Sequence, residues 1–346
     1  MVPPLAMEPT PAETEKRLRT ACLLAITFIL AAAALHWLRQ VMIPLVLAIF
    51  IGLAVTPLMD LQTRRLRAPR GVAVVGTLVV CVVVLVLLGL LISTSVSQMA
   101  ANADTYAAQI DKLTRRISEA LPLDKLLETD EGEVLQPMGN VIKTVVTGTM
   151  SAIGTVLQKG ILVLLFLIFI LGGHDPERVP KAGIRREIRE SIQKYLITKT
   201  VVSAITGVLV GVTLLLLGVD MAVAFGLFAF VLNFIPNIGS VISTLLPLPV
   251  VVLNPEVSTT VAILAIAIPG AIQFVIGNLL EPRMLGTSLD LHPVVILVSL
   301  IFWSVLWGPV GMLLAAPITA ILRILFSKLE LTAPLANVMA GRPPGG

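Results

Sequence analysis

Charge is scarce in this chain. Asp, Glu, Lys and Arg make up 13% of its 346 residues and apolar types 56%, where an average soluble domain carries roughly 25% charged residues. A water-soluble fold with a solvated surface is excluded. Only two cysteines occur, Cys22 and Cys81, each inside an apolar run, so neither a disulfide framework nor a thiolate metal site is indicated. His36, His174 and His292 stand too far apart for a local metal motif. There is no GxxxxGK(S/T) loop to cradle a nucleotide, no HExxH and no GxSxG elbow. These gaps argue against an enzyme, a cofactor or an ATP-driven pump in this chain alone. The formal net charge is +4, but the basic residues flank apolar spans and do not interleave with aromatics, so they read as topology signals and not as a nucleic-acid surface.

What is abundant is apolar length. A helix needs about 20 apolar residues to cross a bilayer, and candidate spans run over 20–38, 41–59, 71–97, 154–173, 196–217, 221–253, 258–280 and 291–326. The fold class is therefore an all-α polytopic membrane protein with about eight transmembrane helices. The sixth and eighth spans are too long for one straight crossing, and broken or re-entrant segments are expected in the C-terminal half. Lys16, Arg17 and Arg19 followed by an apolar run ending in small residues resemble a secretory signal, yet a second span begins at Val41 with no soluble stretch between, so the run reads as a retained span.

Loop charge sets orientation. Lys16/Arg17/Arg19, Arg64/Arg65/Arg67/Arg70, Lys181/Arg185/Arg186/Arg189/Lys194 and Arg323/Lys328 alternate with poorly basic connections, which places all four groups and both termini in the cytoplasm. The division is then a disordered tail over 1–15, three transmembrane helices over 16–97, an extracytoplasmic helical segment over 98–153, a C-terminal transport region over 154–331, and a disordered tail over 332–346. In the acidic outer segment Tyr106, Ile110, Leu113, Ile117 and Leu121 form one helical stripe, suited either to docking on its own membrane domain or to joining subunits. Ile184, Ile188, Ile192 and Leu196, ringed by basic residues, predict an amphipathic helix on the cytoplasmic leaflet, an anchor or a gate.

Two polar clusters interrupt the apolar spans. In Asn233-Phe234-Ile235-Pro236-Asn237-Ile238-Gly239-Ser240 the proline removes a donor and the glycine permits unusual backbone angles, so the helix should break. Broken backbone at membrane depth must be buried or line a wet cavity, and such breaks recur as binding devices in secondary transporters; a tight turn at the membrane edge is the alternative. The second cluster is Gln273, then Asn278, Glu281, Pro282 and Arg283. Because charges are costly in hydrocarbon, Glu281 and Arg283 are expected to pair or to sit at the interface. Lys199 reads as a cation snorkelling to the cytoplasmic headgroups or as a substrate-facing residue. Ser203, Gly207 and Gly211, each four apart, let another helix approach closely. Gly308-Pro309 and Pro317 predict a kink or re-entrant hairpin in the last span.

Four stretches carry a resemblance: Tyr195–Thr200, Asn233–Ser240, Gly277–Arg283 and Trp307–Leu314. From Tyr195 to Phe326 the chain resembles the autoinducer-2 exporter / PerM-like permease family of membrane transporters; the first half matches only in its pattern of helices. The resemblance implies export of autoinducer-2, a small furanosyl signalling molecule in quorum sensing, or of a related polar solute. Some members are described as cation/proton antiporters, so proton or Na+ coupling stays open, as does an oligomeric passive channel or scaffold. It also implies homo-oligomers, pentamers among them, in the cell inner membrane in contact with lipid. The expected pathway residues are Asn233, Pro236, Asn237, Gly239, Ser240, Gln273, Asn278, Glu281 and Arg283, with Lys199 and Ser203 as secondary candidates.

Overall fold

The computed structural model describes residues 11–65, 67, 69–101, 159–173, 183–236, 238–254, 257–285, 289–330 and 332–342, and among them no strand occurs. The helices are α1 (Pro11–Trp37), α2 (Arg39–Arg65), α3 (Arg70–Ala101), α4 (Lys159–Gly173), α5 (Ile184–Leu216), α6 (Ala222–Leu232), α7 (Ile238–Leu245), α8 (Leu248–Leu253), α9 (Thr259–Val275), α10 (Glu281–Leu285), α11 (Pro293–Phe326) and α12 (Ala333–Met339). A π-helical turn over Ile276–Leu280 joins α9 to α10. Five stretches, 39–63, 70–91, 184–216, 259–284 and 293–326, are long and apolar enough to span a membrane, with shorter apolar helices among them. The chain is an all-α polytopic membrane protein. Residues 102–153 of the expected outer segment, with the Tyr106–Leu121 stripe, lie outside the described residues.

Packing is built on small residues, as expected where lipid removes the hydrophobic force between helices. α5 and α6 approach until a Cβ on Gly226 would meet the Gly207 carbonyl oxygen at 2.6 Å and the Gly211 Cα at 2.9 Å. The Ser203/Gly207/Gly211 row is thus occupied by a helix of its own chain and not by another subunit. Elsewhere Met59, Ala73 and Leu167 join α2, α3 and α4, and the Arg70 Nη2 donates to the Gly172 carbonyl at 2.9 Å. The start of α3 and the end of α4 therefore lie at the same end of the bundle.

The two overlong spans are both hairpins. Asn254 donates to the Asp220 carboxylate at 3.0 Å, so α6, α7 and α8 return to the end from which they started. The expected sixth crossing is instead a re-entrant loop whose tip is the Asn233–Ile238 break. α6 has only 11 residues, about 16 Å, which reaches roughly halfway through a ~30 Å hydrocarbon core. α11 folds back at Gly308 (φ 64°, ψ −144°), a left-handed conformation that favours glycine, with Pro309 opening the return limb. Trp303 Nε1 donates to Thr319 Oγ1 across the limbs at 3.3 Å, and Asp290 and Arg323 form an ion pair at their ends. The limbs, 15 and 18 residues by sequence, are about 22 and 27 Å long. The tip binds the far end of α1: Trp307 Nε1 donates to the Leu35 carbonyl at 3.1 Å, and His36 Nδ1 contacts the Leu306 carbonyl at 3.0 Å.

The amphipathic stretch at Ile184 and the fifth span form one unbroken 33-residue helix. Two boundaries differ from expectation. α1 already begins at Pro11. Residues 333–339, expected within a disordered tail, form α12, which is fastened by the His292 amide donating to the Met339 carbonyl at 2.8 Å and by Arg342 Nη2 donating to Asp290 at 2.8 Å.

Candidate functional site

The re-entrant tip, α5, α9 and the π turn line a partly open cavity of about 370 Å³, within the ~300–1,000 Å³ range of small-molecule sites. α5 brings Lys199 to it; the tip brings Asn233, Pro236 and Ser240; α9 and the π turn bring Gln273, Asn278 and Glu281. Residues that looked like two separate clusters along the chain thus form one site. Pro236, which has no N–H to donate, breaks the helix after Asn233, and the amides of Phe234, Ile235, Ile238 and Gly239 are met by nearby carbonyls within the break.

Its polar groups are anchored in pairs. Lys199 Nζ donates to Glu281 Oε1 in an ion pair whose side chains are 2% and 17% exposed. This replaces both the snorkelling reading of Lys199 and the expected Glu281–Arg283 pair: the ammonium is buried in protein, and Arg283 is exposed. Asn233 Nδ2 donates to Ser203 Oγ at 3.0 Å, which places Ser203 behind the wall as a support. Gln273 Nε2 donates to Ser243 Oγ at 2.6 Å, and Ser243 Oγ in turn donates to the Ser240 carbonyl at 3.1 Å. Because the Ser243 proton is already used, its oxygen must accept from Gln273, and the Gln273 carbonyl oxygen remains as the amide's acceptor.

Three of the predicted pathway residues are placed differently or not at all, the exposed Arg283 among them, which does not line the cavity. Gly239 does not line the cavity; a Cβ there would lie 1.7 Å from the Leu232 carbonyl oxygen, so its role is to let α7 turn tightly under α6. Asn237 lies outside the described residues. Sequence reasoning missed Ser243, Thr244 and Gly270. Ser243 was detectable, because a glutamine in an apolar run needs a buried partner and Ser243 stands three residues after Ser240 on the same helical face. Tyr195, one turn before Lys199 on α5, is 3% exposed, and its hydroxyl has no hydrogen-bond partner among the described residues.

The register of α9 also matters. Glu281 donates its amide to the Ile276 carbonyl, a bond five residues back that widens the helix into a π turn. Pro282 follows directly: in a regular helix its ring would collide with the carbonyl four residues earlier, that of Asn278. The Asn278 side chain donates to the Phe274 carbonyl at 2.9 Å within the same turn. Chemically the site offers a neutralised ion pair, three amides and hydroxyls in a cavity that is partly open and partly walled by apolar side chains. It can hold a small polar solute by hydrogen bonds, and among the described residues no three His, Cys, Asp or Glu side chains gather to hold a metal.

Residues 24–330 match the family described as AI-2E family transporter. The chain is 32% identical to the AI-2 transport protein TqsA of Escherichia coli K12 over 324 residues, which cover 88% of this chain and 90% of TqsA. It is 29% identical over 329 residues to YhhT of the same organism, a protein named provisionally for transport, covering 92% and 93% of the two.

Proposed function

Because the chain belongs to the AI-2E family of transporters, we propose that it exports a small polar solute, autoinducer-2 or a related signalling molecule, through the cavity between α5, the re-entrant tip and α9. The observation that carries this reading is the convergence of Lys199, Asn233, Ser240, Gln273 and Glu281 on one cavity at a break in the membrane-spanning helices. Similarity to TqsA, named for AI-2 transport, supports the choice of solute. In vesicles holding the purified chain, labelled autoinducer-2 should leave with saturable kinetics; flux no greater than through empty vesicles refutes the proposal.

The chain is a multi-pass membrane protein, and we read the cell inner membrane as its location with both termini cytoplasmic. Charge and topology support this together. α1, α2, α3, α4, α5, α9 and the two limbs of α11 make about eight crossings, with the α6–α8 hairpin dipping in from the outer face. Even parity keeps Lys16/Arg17/Arg19 and Arg323/Lys328 on the same, cytoplasmic side. Assembly into homo-oligomers fits α3, whose apolar window is only 6% buried within the chain, and native mass spectrometry checks it.

A second reading, cation/proton exchange, draws on Glu281, a carboxylate at the cavity wall. Flux measured with and without an imposed proton gradient separates it from passive export: a carrier coupled to protons responds to the gradient, and a passive path does not.

A further inference from the structure

Glu281 meets Lys199 only because the helix that carries it is one residue out of register. Gln273 and Glu281 are eight residues apart, which in a regular α-helix puts them about 80° apart around the axis. The π turn absorbs one extra residue, so beyond it the pair behaves as i, i+7 and lies about 20° apart. That alignment puts both side chains on the cavity wall, Gln273 against Ser243 and Glu281 against Lys199. The local cause is in the sequence. Pro282 has no N–H to return to Asn278 and is disfavoured in an unbroken α turn, where its ring crowds that carbonyl, whereas it is tolerated at the first turn of the helix that restarts at Glu281.

We propose that Pro282 is a positioning residue for the transport site: by holding the π turn it sets the register in which Glu281 reaches Lys199. Return of the segment to α geometry advances every later residue by one position, about 100°. Glu281 then leaves the cavity wall and Leu280 takes its place. The consequence for flux rests on the cavity being the solute path; the register itself does not.

The register is read by cross-linking the full-length protein. In a Cys22→Ala/Cys81→Ala background, Lys199→Cys is combined with Glu281→Cys in one variant and with Leu280→Cys in another, and each is treated with a short bifunctional thiol reagent. With Pro282 present, positions 199 and 281 should be bridged several-fold more than 199 and 280. Pro282→Ala should invert that order, and Pro282→Ser, which also restores the N–H, serves as the second variant. A preference for 280 with the proline present, or an order unchanged by either substitution, overturns the proposal. In vesicles, Pro282→Ala should lower saturable autoinducer-2 flux at least about fivefold. Moving the carboxylate one position back, with Leu280→Glu and Glu281→Leu added to Pro282→Ala, should recover it, which a merely structural role of the proline would not allow. Inverted cross-linking with unchanged flux upholds the positioning role and counts instead against the cavity as the solute path.

Discussion

Removing one partner of the Lys199–Glu281 pair should cost far more than removing both. The Lys199 side chain is 2% exposed and that of Glu281 17%, so Glu281→Leu leaves a buried ammonium without a counter-charge. Breaking a buried pair in this way costs about 3–5 kcal/mol. Lys199→Met leaves a carboxylate that can rehydrate through the cavity, and its cost falls below that range, to about 2–3 kcal/mol. The double replacement removes both desolvation penalties along with the attraction, and such exchanges are commonly neutral within about 1 kcal/mol or stabilising. The coupling energy is therefore at least about 4 kcal/mol. For a chain longer than the 150–250 residues over which 1 kcal/mol shifts the melting temperature by about 2–4 °C, each kilocalorie is worth roughly 1–2 °C. Thermal melts in detergent should show Glu281→Leu lowered by about 3–10 °C and the double variant by less than about 2 °C. Single losses that add in the double variant would show two independent charges and refute the pair.

Other substitutions test other parts of the account. Gly226→Ala places a Cβ 2.6 Å from the Gly207 carbonyl oxygen; overpacking of about 1–3 kcal/mol outweighs a helix-propensity gain of about 1 kcal/mol, so the melting temperature should fall. Gln273→Leu takes the donor away from Ser243 Oγ at a stability cost of about 1 kcal/mol, while saturable flux should fall at least about tenfold, equivalent to about 1.4 kcal/mol. Asp290→Ala releases both Arg323 and Arg342 and should make α12 more sensitive to limited proteolysis without changing the melting temperature by more than about 2 °C.

Much of this was legible in the residues. Composition and apolar length identify a polytopic helical membrane protein, and the Pro/Asn/Gly cluster at 233–240 marks the break that lines the cavity. The hairpins were only half visible. Excess length in spans six and eight signals a fold-back, but charge marks only the ends of spans, so it cannot tell a loop that dips in and returns from two full crossings. That distinction came from contacts such as Asn254–Asp220 and Trp307–Leu35. Pairing Glu281 with Arg283 followed sequence proximity, yet residues two apart on a helix face different ways, and a partner on another helix should have been sought. Lys199, 82 residues away, is beyond the reach of local reasoning. The Ser203/Gly207/Gly211 row was recognisable as a site of close approach, whereas its partner Gly226 is fixed only by how α6 folds back.

The cavity as solute path is tested most directly by closing it from within. Thr244 lines it, and Thr244→Cys in a Cys22→Ala/Cys81→Ala background introduces one thiol there. Vesicles holding that protein are assayed for labelled autoinducer-2 flux before and after a bulky thiol reagent, with and without saturating solute present during labelling. The account predicts normal flux before labelling, loss of saturable flux after it, and slower labelling when solute occupies the cavity. Full flux through quantitatively labelled protein would contradict it.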